Sequence, residues 1–187
     1  VRNGYLQGWD TYVNALIQKL PYKAPGLIKQ AREWVEKNGT RPYFLYVGPV
    51  DPHVTYRAHP GIIELYDPAP YSGVYRKACS GDELGRIKGR ERAGRVPQRD
   101  RQRITALYDN EVDFSDRHLG EFVSFLESRG EFDQTLFIIV SDHGDEFWEH
   151  GDVGHAHSVY QELVHVPLIM RYPPLFKAGT RVDEGTD

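Results

Sequence analysis

The feature that most constrains this chain is an apolar run, Leu136-Phe137-Ile138-Ile139-Val140, that breaks directly into Ser141-Asp142-His143-Gly144. The run is too short for a helix, rich in β-branched and aromatic residues, and uninterrupted by polar groups. It predicts a strand buried on both faces. Open α/β sheets bind ligands just beyond the carboxyl ends of their strands, where this Asp-His pair falls. A carboxylate oxygen and an imidazole nitrogen can serve one cation, and Gly144 lets the backbone turn away. Asp145, Glu146, Glu149, His150, Asp152, His155 and His157 follow, before a second apolar run, Val166-Pro167-Leu168-Ile169-Met170. Strand, loop crowded with ligand-type residues, strand: this is the outline of an active-site edge.

Three words carry a resemblance: S-D-H-G-D-E-F-W-E-H-G at 141–151, G-H-A-H-S-V-Y-Q-E at 154–162, and V-P-L-I-M at 166–170. In this order and spacing they resemble the sulfatase family of the alkaline-phosphatase-like superfamily. The resemblance implies an α/β fold, a mostly parallel sheet flanked by helices, present here in incomplete form. It implies Asp142 and His143 as metal ligands and His155 facing the sulfuryl or phosphoryl group. Residues two apart point to opposite sides of an extended chain, so only one of His155 and His157 is expected to face the site. His150, His157 and His165 are read as background.

Upstream, Tyr12, Val13, Leu16, Ile17 and Leu20 stand near helical spacing. Pro25 then suits the first turn of a helix whose apolar face carries Leu27, Ile28, Ala31, Trp34 and Val35, with Asn38-Gly39 predicted as a left-handed stop. Pro42 to Gly48 reads as another buried strand, ending in Pro49-Val50-Asp51-Pro52-His53. A His just past a strand end again resembles the sulfatases, and the resemblance implies that His53 donates a proton to the leaving alcohol. An imidazole suits that task because its ordinary pKa lies near neutrality. A turn histidine stacked on Tyr46 or Tyr56 is the competing reading, and His59 is expected at the surface.

Residues 55–80, rich in Pro, Gly and Tyr, predict an ordered loop, and residues 85–103 a solvated basic loop or insertion, with a patch for a polyanion such as a sulfated polysaccharide or nucleic acid as the competing reading. Cys79 lies outside any Cys-x-Pro-x-Arg word and is read as an ordinary cysteine. From Arg101 to Arg129-Gly130, Ile104, Leu107, Tyr108, Val112, Leu119, Phe122 and Leu126 recur at three- and four-residue steps. They predict a long helix feeding the central strand as a βα repeat with a right-handed crossover. Glu111 and Asp116 are read as exposed helix carboxylates.

The length, 187 residues, suits one domain, read as part of a single catalytic domain truncated at both ends. The net charge of −4 gives no electrostatic case for nucleic acid, and no apolar run approaches a transmembrane helix. By resemblance the parent protein is a sulfuric ester hydrolase acting on a small-molecule or glycan sulfate ester. It would use a divalent cation, Ca2+ first, with Mn2+ or Zn2+ as alternatives, and a formylglycine nucleophile expected upstream. The chain alone is therefore expected to be inactive, and family analogy puts the protein in the periplasm or outside the cell. Alternatives are a phosphodiesterase, phosphonate hydrolase, or phosphoethanolamine or glycerophosphate transferase of the same superfamily. A non-catalytic metal-binding remnant is the alternative of another class. No HExxH word occurs.

Overall fold

A computed structural model describes residues 7–182. The chain divides into two compact units, Val1–Asp51 and Pro52–Asp187. In the first unit, Gln18 and Leu20 bond back to Asn14 and Ala15, so the expected helical spacing yields only turns. Helix α1, Ala24–Asn38, starts with proline in its first turn, as read from Pro25, and buries Ala24, Ile28, Ala31 and Val35. Asp51 anchors its start, accepting a bond from the Ala24 N–H at 2.6 Å and pairing with Lys23. Gly39 closes the helix at φ −73°, not in the predicted left-handed form. Residues 42–48 alternate in exposure but join no ladder, and Phe44 and Tyr46 are exposed. The predicted buried strand is thus absent there, because a lone extended segment has no partner for its backbone groups.

The second unit is built around one long helix. In chain order it contains β1 (Tyr56–Arg57), α2 (Ile63–Tyr66), β2 (Ala78–Cys79), α3 (Gly81–Ile87), α4 (Arg90–Gly94) and α5 (Gln98–Ser128). There follow a 3-10 turn (Phe132–Gln134), β3 (Phe137–Val140), β4 (Glu146–Phe147), β5 (Val153–Gly154), α6 (Gln161–Val164) and β6 (Leu168–Arg171). Helix α5 begins behind Pro97 and ends at Arg129, with Gly130 in the left-handed region (φ +68°). Its Ile104, Ala106 and Leu107 pack with Tyr56, Ile63, Tyr75, Cys79, Leu84 and Val153 in the core.

Residues 85–103 run through the end of α3, all of α4 and the start of α5, joined by short turns. Ser80 caps α3 through a reciprocal box with Glu83, and Gly89 (φ +101°) turns the chain into α4. Arg103 is buried on α5 and bonds to Asp67 at 2.9 Å and to the carbonyls of Tyr75 and Arg76. Part of the basic charge is therefore structural, which composition could not separate from a solvated run.

Strand β3 pairs antiparallel with β6, Phe137 opposite Arg171 through Val140 opposite Leu168. The other ladders, β1 with β2 and β4 with β5, are also antiparallel, so no parallel pair occurs among the described residues. Strand β3 is not buried on both faces. Phe137 packs edge-on against Phe132, whereas Ile138 and Val140 are 50% and 60% exposed. One layer covers one face only, and burial follows the layers present, not the apolar run.

Candidate active site

The loop after β3 is fixed at its base by backbone. The Gly144 N–H donates to the Leu163 carbonyl at 2.9 Å, and a Cβ on Gly144 would collide with the Glu162 carbonyl oxygen. Only glycine fits there. Beyond it, Asp145 is almost fully buried and accepts two bonds: from the Tyr56 hydroxyl at 2.8 Å and from His155 Nδ1 at 2.6 Å. Tyr56 is fully buried, edge-on to Tyr108, and burial, with the Asp145 carboxylate beside it, pushes its phenol far up. It therefore remains a hydrogen-bond donor to Asp145 throughout the physiological range.

Three imidazoles gather over this pair. The rings of His143 and His155 lie 4.2 Å apart, His53 and His155 5.1 Å, and His53 and His143 6.5 Å. All three anchor through Nδ1: His53 on the Val54 carbonyl at 2.9 Å, His143 on the Gly144 carbonyl at 2.9 Å, His155 on Asp145. Carbonyl oxygens only accept, so the first two rings carry the proton on Nδ1, a tautomer assigned from this network. In a neutral ring this leaves each Nε2 with a free lone pair, suited to a metal or, once protonated, to an anionic oxygen.

His143, Asp145 and His155 each bring one ligand-type atom within 4.8 Å of the others. The 2.6 Å contact between Asp145 and His155 Nδ1 is nevertheless a direct hydrogen bond. Two atoms sharing a tetrahedral ion would lie about 3.3 Å apart. Asp145 therefore acts on His155, holding its tautomer and aim, as carboxylates behind metal-bound or catalytic histidines do. The donors present, imidazole nitrogens and carboxylates, fit a divalent cation.

Of the residues singled out in the sequence, His53, His143 and His155 come together. Asp142 is exposed beside them, its Oδ1 accepting from the His143 N–H at 3.1 Å, and lies outside that cluster of ligand atoms. His157 turns to the fully buried Glu146, 2.8 Å away, so the two histidines take different carboxylates. Burial works against ionised Glu146, but His157 and the N–H groups of Asp152 and His150 hold its carboxyl below the usual range. His150 stacks on Tyr160 at 3.7 Å and meets Glu162 at 3.2 Å.

Sequence reasoning missed Asp145, Tyr56 and Glu111. Glu111 is fully buried, accepts from the Arg57 N–H at 2.8 Å and faces His59 Nε2 at 3.1 Å. Neighbouring Asn110 bridges the Arg57 carbonyl and the His59 N–H. His59 is accordingly not a surface residue; it stacks on Phe114 at 3.7 Å. The α5 periodicity carried a signal, since Glu111 lies four residues beyond core Leu107 and shares its face.

The Sulfatase family model matches residues 9–186, nearly the whole chain. The chain belongs to the sulfatase family. Among curated sulfatases, it is 38% identical over 65 residues to N-acetylglucosamine-6-O-sulfatase of Bacteroides thetaiotaomicron, covering 35% of this chain and 12% of that protein. It is 30% identical over 115 residues to human arylsulfatase K, covering 62% of this chain and 19% of that protein. A solved structure described as in complex with its substrate D-glucosamine-2-N,6-O-disulfate superposes with a TM-score of 0.64 at 18% identity. That match covers 84% of this chain and 44% of that one. A phosphonate monoester hydrolase from Silicibacter pomeroyi follows, with a TM-score of 0.56, 20% identity, and 81% and 34% coverage. These likenesses give this sulfatase chain the alkaline-phosphatase-like α/β fold, in incomplete form. The chain thus spans less than half the length of the relatives it matches.

Proposed function

We propose that this chain forms one wall of the catalytic site of a metal-dependent sulfuric ester hydrolase. The observation that carries the reading is the convergence of His53, His143 and His155, each anchored through Nδ1, on one spot behind which Asp145 is buried. Asp142 and His143 hold the divalent cation, and His155, aimed by Asp145, binds the non-bridging oxygens of the sulfuryl group. His53, the most exposed of the three, gives its proton to the departing alcohol oxygen. When bound, the cation supplies Lewis-acid stabilisation of the charged oxygens. The His143 imidazole would suit Mn2+ or Zn2+, whereas Ca2+ would need further oxygen ligands beside Asp142. No Cys-x-Pro-x-Arg or Ser-x-Pro-x-Arg word occurs in the 187 residues, so the formylglycine nucleophile is assigned to sequence outside them. The substrate class is a sulfate ester, as the names of the relatives and the disulfated sugar of the solved neighbour support. Family analogy makes the parent an exported protein.

The test is turnover of an aryl sulfate and a sulfated glucosamine by the parent protein, beside an aryl phosphonate. Sulfate turnover that falls at least a hundredfold in His155→Ala supports the reading. Preference for the phosphonate moves it to phosphoryl chemistry, which the second solved neighbour favours. Inertness toward all three leaves a metal-binding remnant. The 187-residue chain alone should show no turnover above background, and activity from it would overturn the assignment of the nucleophile.

A further inference from the structure

Between α3, α4 and the start of α5 lies a surface hollow of about 260 Å³. Arg86, Arg92 and Arg95 line it with one carboxylate, Asp100, over a floor of Tyr75 and Val96. Three guanidinium groups thus face one carboxylate in a chain whose net charge is −4. Asp100 already spends an oxygen on the Tyr71 hydroxyl at 2.7 Å, and Arg95 pairs with Glu91 along α4. Arg92 is steadied by its bond to the Lys88 carbonyl at 2.6 Å, and its guanidinium packs over Gly89, 3.0 Å from where a Cβ would stand. Arg86 is exposed, and the Glu83 carboxylate that its charge also stabilises is bonded by Ser80. Tyr75 and Val96 are buried, so one side of the hollow is apolar and strengthens whatever charge binds there.

The hollow is tied to the candidate active site. At the α3–α4 junction Lys88 donates its ammonium to the His155 carbonyl, and the Gly89 N–H donates to Asp152 Oδ1 at 2.6 Å. Trp148 Nε1 reaches the Ala93 carbonyl at 3.3 Å, and Arg90 reaches the Tyr160 hydroxyl at 2.9 Å. The helices that carry the arginines therefore brace the loop that carries His155.

We infer that this hollow is a second anion subsite, taking a sulfate group of a glycan substrate other than the ester cleaved. The inference rests on the sulfatase reading for its substrate class and deepens it to a multiply sulfated saccharide. Planar guanidinium forks match the oxygens of a sulfate, and more than one of them can engage a single group. Single-stranded nucleic acid fits poorly: the hollow's aromatic ring, Tyr75, is buried and offers no stacking face.

The test is titration calorimetry of the 187-residue chain with an oligosaccharide carrying N- and O-sulfates, at about 0.15 M salt, where surface charge is largely screened. Its desulfated counterpart, inorganic sulfate, inorganic phosphate and a single-stranded oligonucleotide of equal charge serve as comparisons. Arg86→Ala with Arg92→Ala should weaken the sulfated oligosaccharide at least tenfold without changing the melting temperature, and Arg86→Lys with Arg92→Lys should fall between. Lys29→Ala, at an exposed basic residue outside the hollow, should change this affinity less than threefold. Unchanged binding in the double alanine variant overturns the inference, as does equal binding of the desulfated sugar, the oligonucleotide or either free anion. Calorimetry needs no turnover, so failure of the sulfatase reading would show in the ester assay and failure of the subsite here.

Discussion

Asp145 has both oxygens committed, one to Tyr56 and one to His155, and that double commitment predicts its mutational behaviour. Asp145→Asn keeps the shape but can present an N–H to His155 Nδ1, reversing the tautomer. Turnover by the parent protein should fall about 10–100-fold, chiefly in kcat. Tyr56→Phe should cost less, because the bond to His155 survives. Cys79 gives a second residue-scale prediction: it is fully buried, and burial pushes its thiol up to about 12. The native chain should resist thiol reagents until it unfolds. The folded thiol holds its proton where the unfolded one has lost it, so its contribution to stability is whole below the ordinary value of 9.0 and falls as pH rises towards about 12. Denaturant melts of Cys79→Ala across that range should show a shallower alkaline loss. At this scale the histidines were legible because short words carry them. Asp145 was not, because its partner Tyr56 lies 89 positions away and no local pattern encodes that closure.

Helix α5 carries the core and was the most legible element, because its apolar residues recur at helical steps. Its start moved from Arg101 to Gln98 because Pro97 fixes the N-terminal boundary. Leu107, fully buried among Tyr56, Ile63 and Val153, should cost about 2–5 kcal/mol as Leu107→Ala in a chemical melt. Ser80→Ala removes one half of the box that starts α3 and should cost about 1 kcal/mol. The short helices α3 and α4 were illegible for the opposite reason. With arginines at most turns they show no apolar stripe, and their shape comes from caps and from docking on the site loop.

At the scale of the whole molecule, the pair β3–β6 shows what sequence could not give. An apolar strand predicts burial only if another layer exists to cover it, and here Ile138, Val140, Leu168, Ile169 and Met170 are about half exposed. The 187-residue chain should therefore self-associate and bind an apolar dye, and Ile138→Lys with Met170→Lys should reduce both in sedimentation and fluorescence measurements. The backbone clasp at Gly144 and Leu163 bears on how this loop can vary. With its two ends pinned together, the segment between them can be exchanged as one cassette: its length and its side chains other than Asp145 and His155 can vary while its roots stay in register. Grafting that segment from a relative would move substrate preference as a single block, provided that Gly144 and the carbonyls of α6 travel with it unchanged.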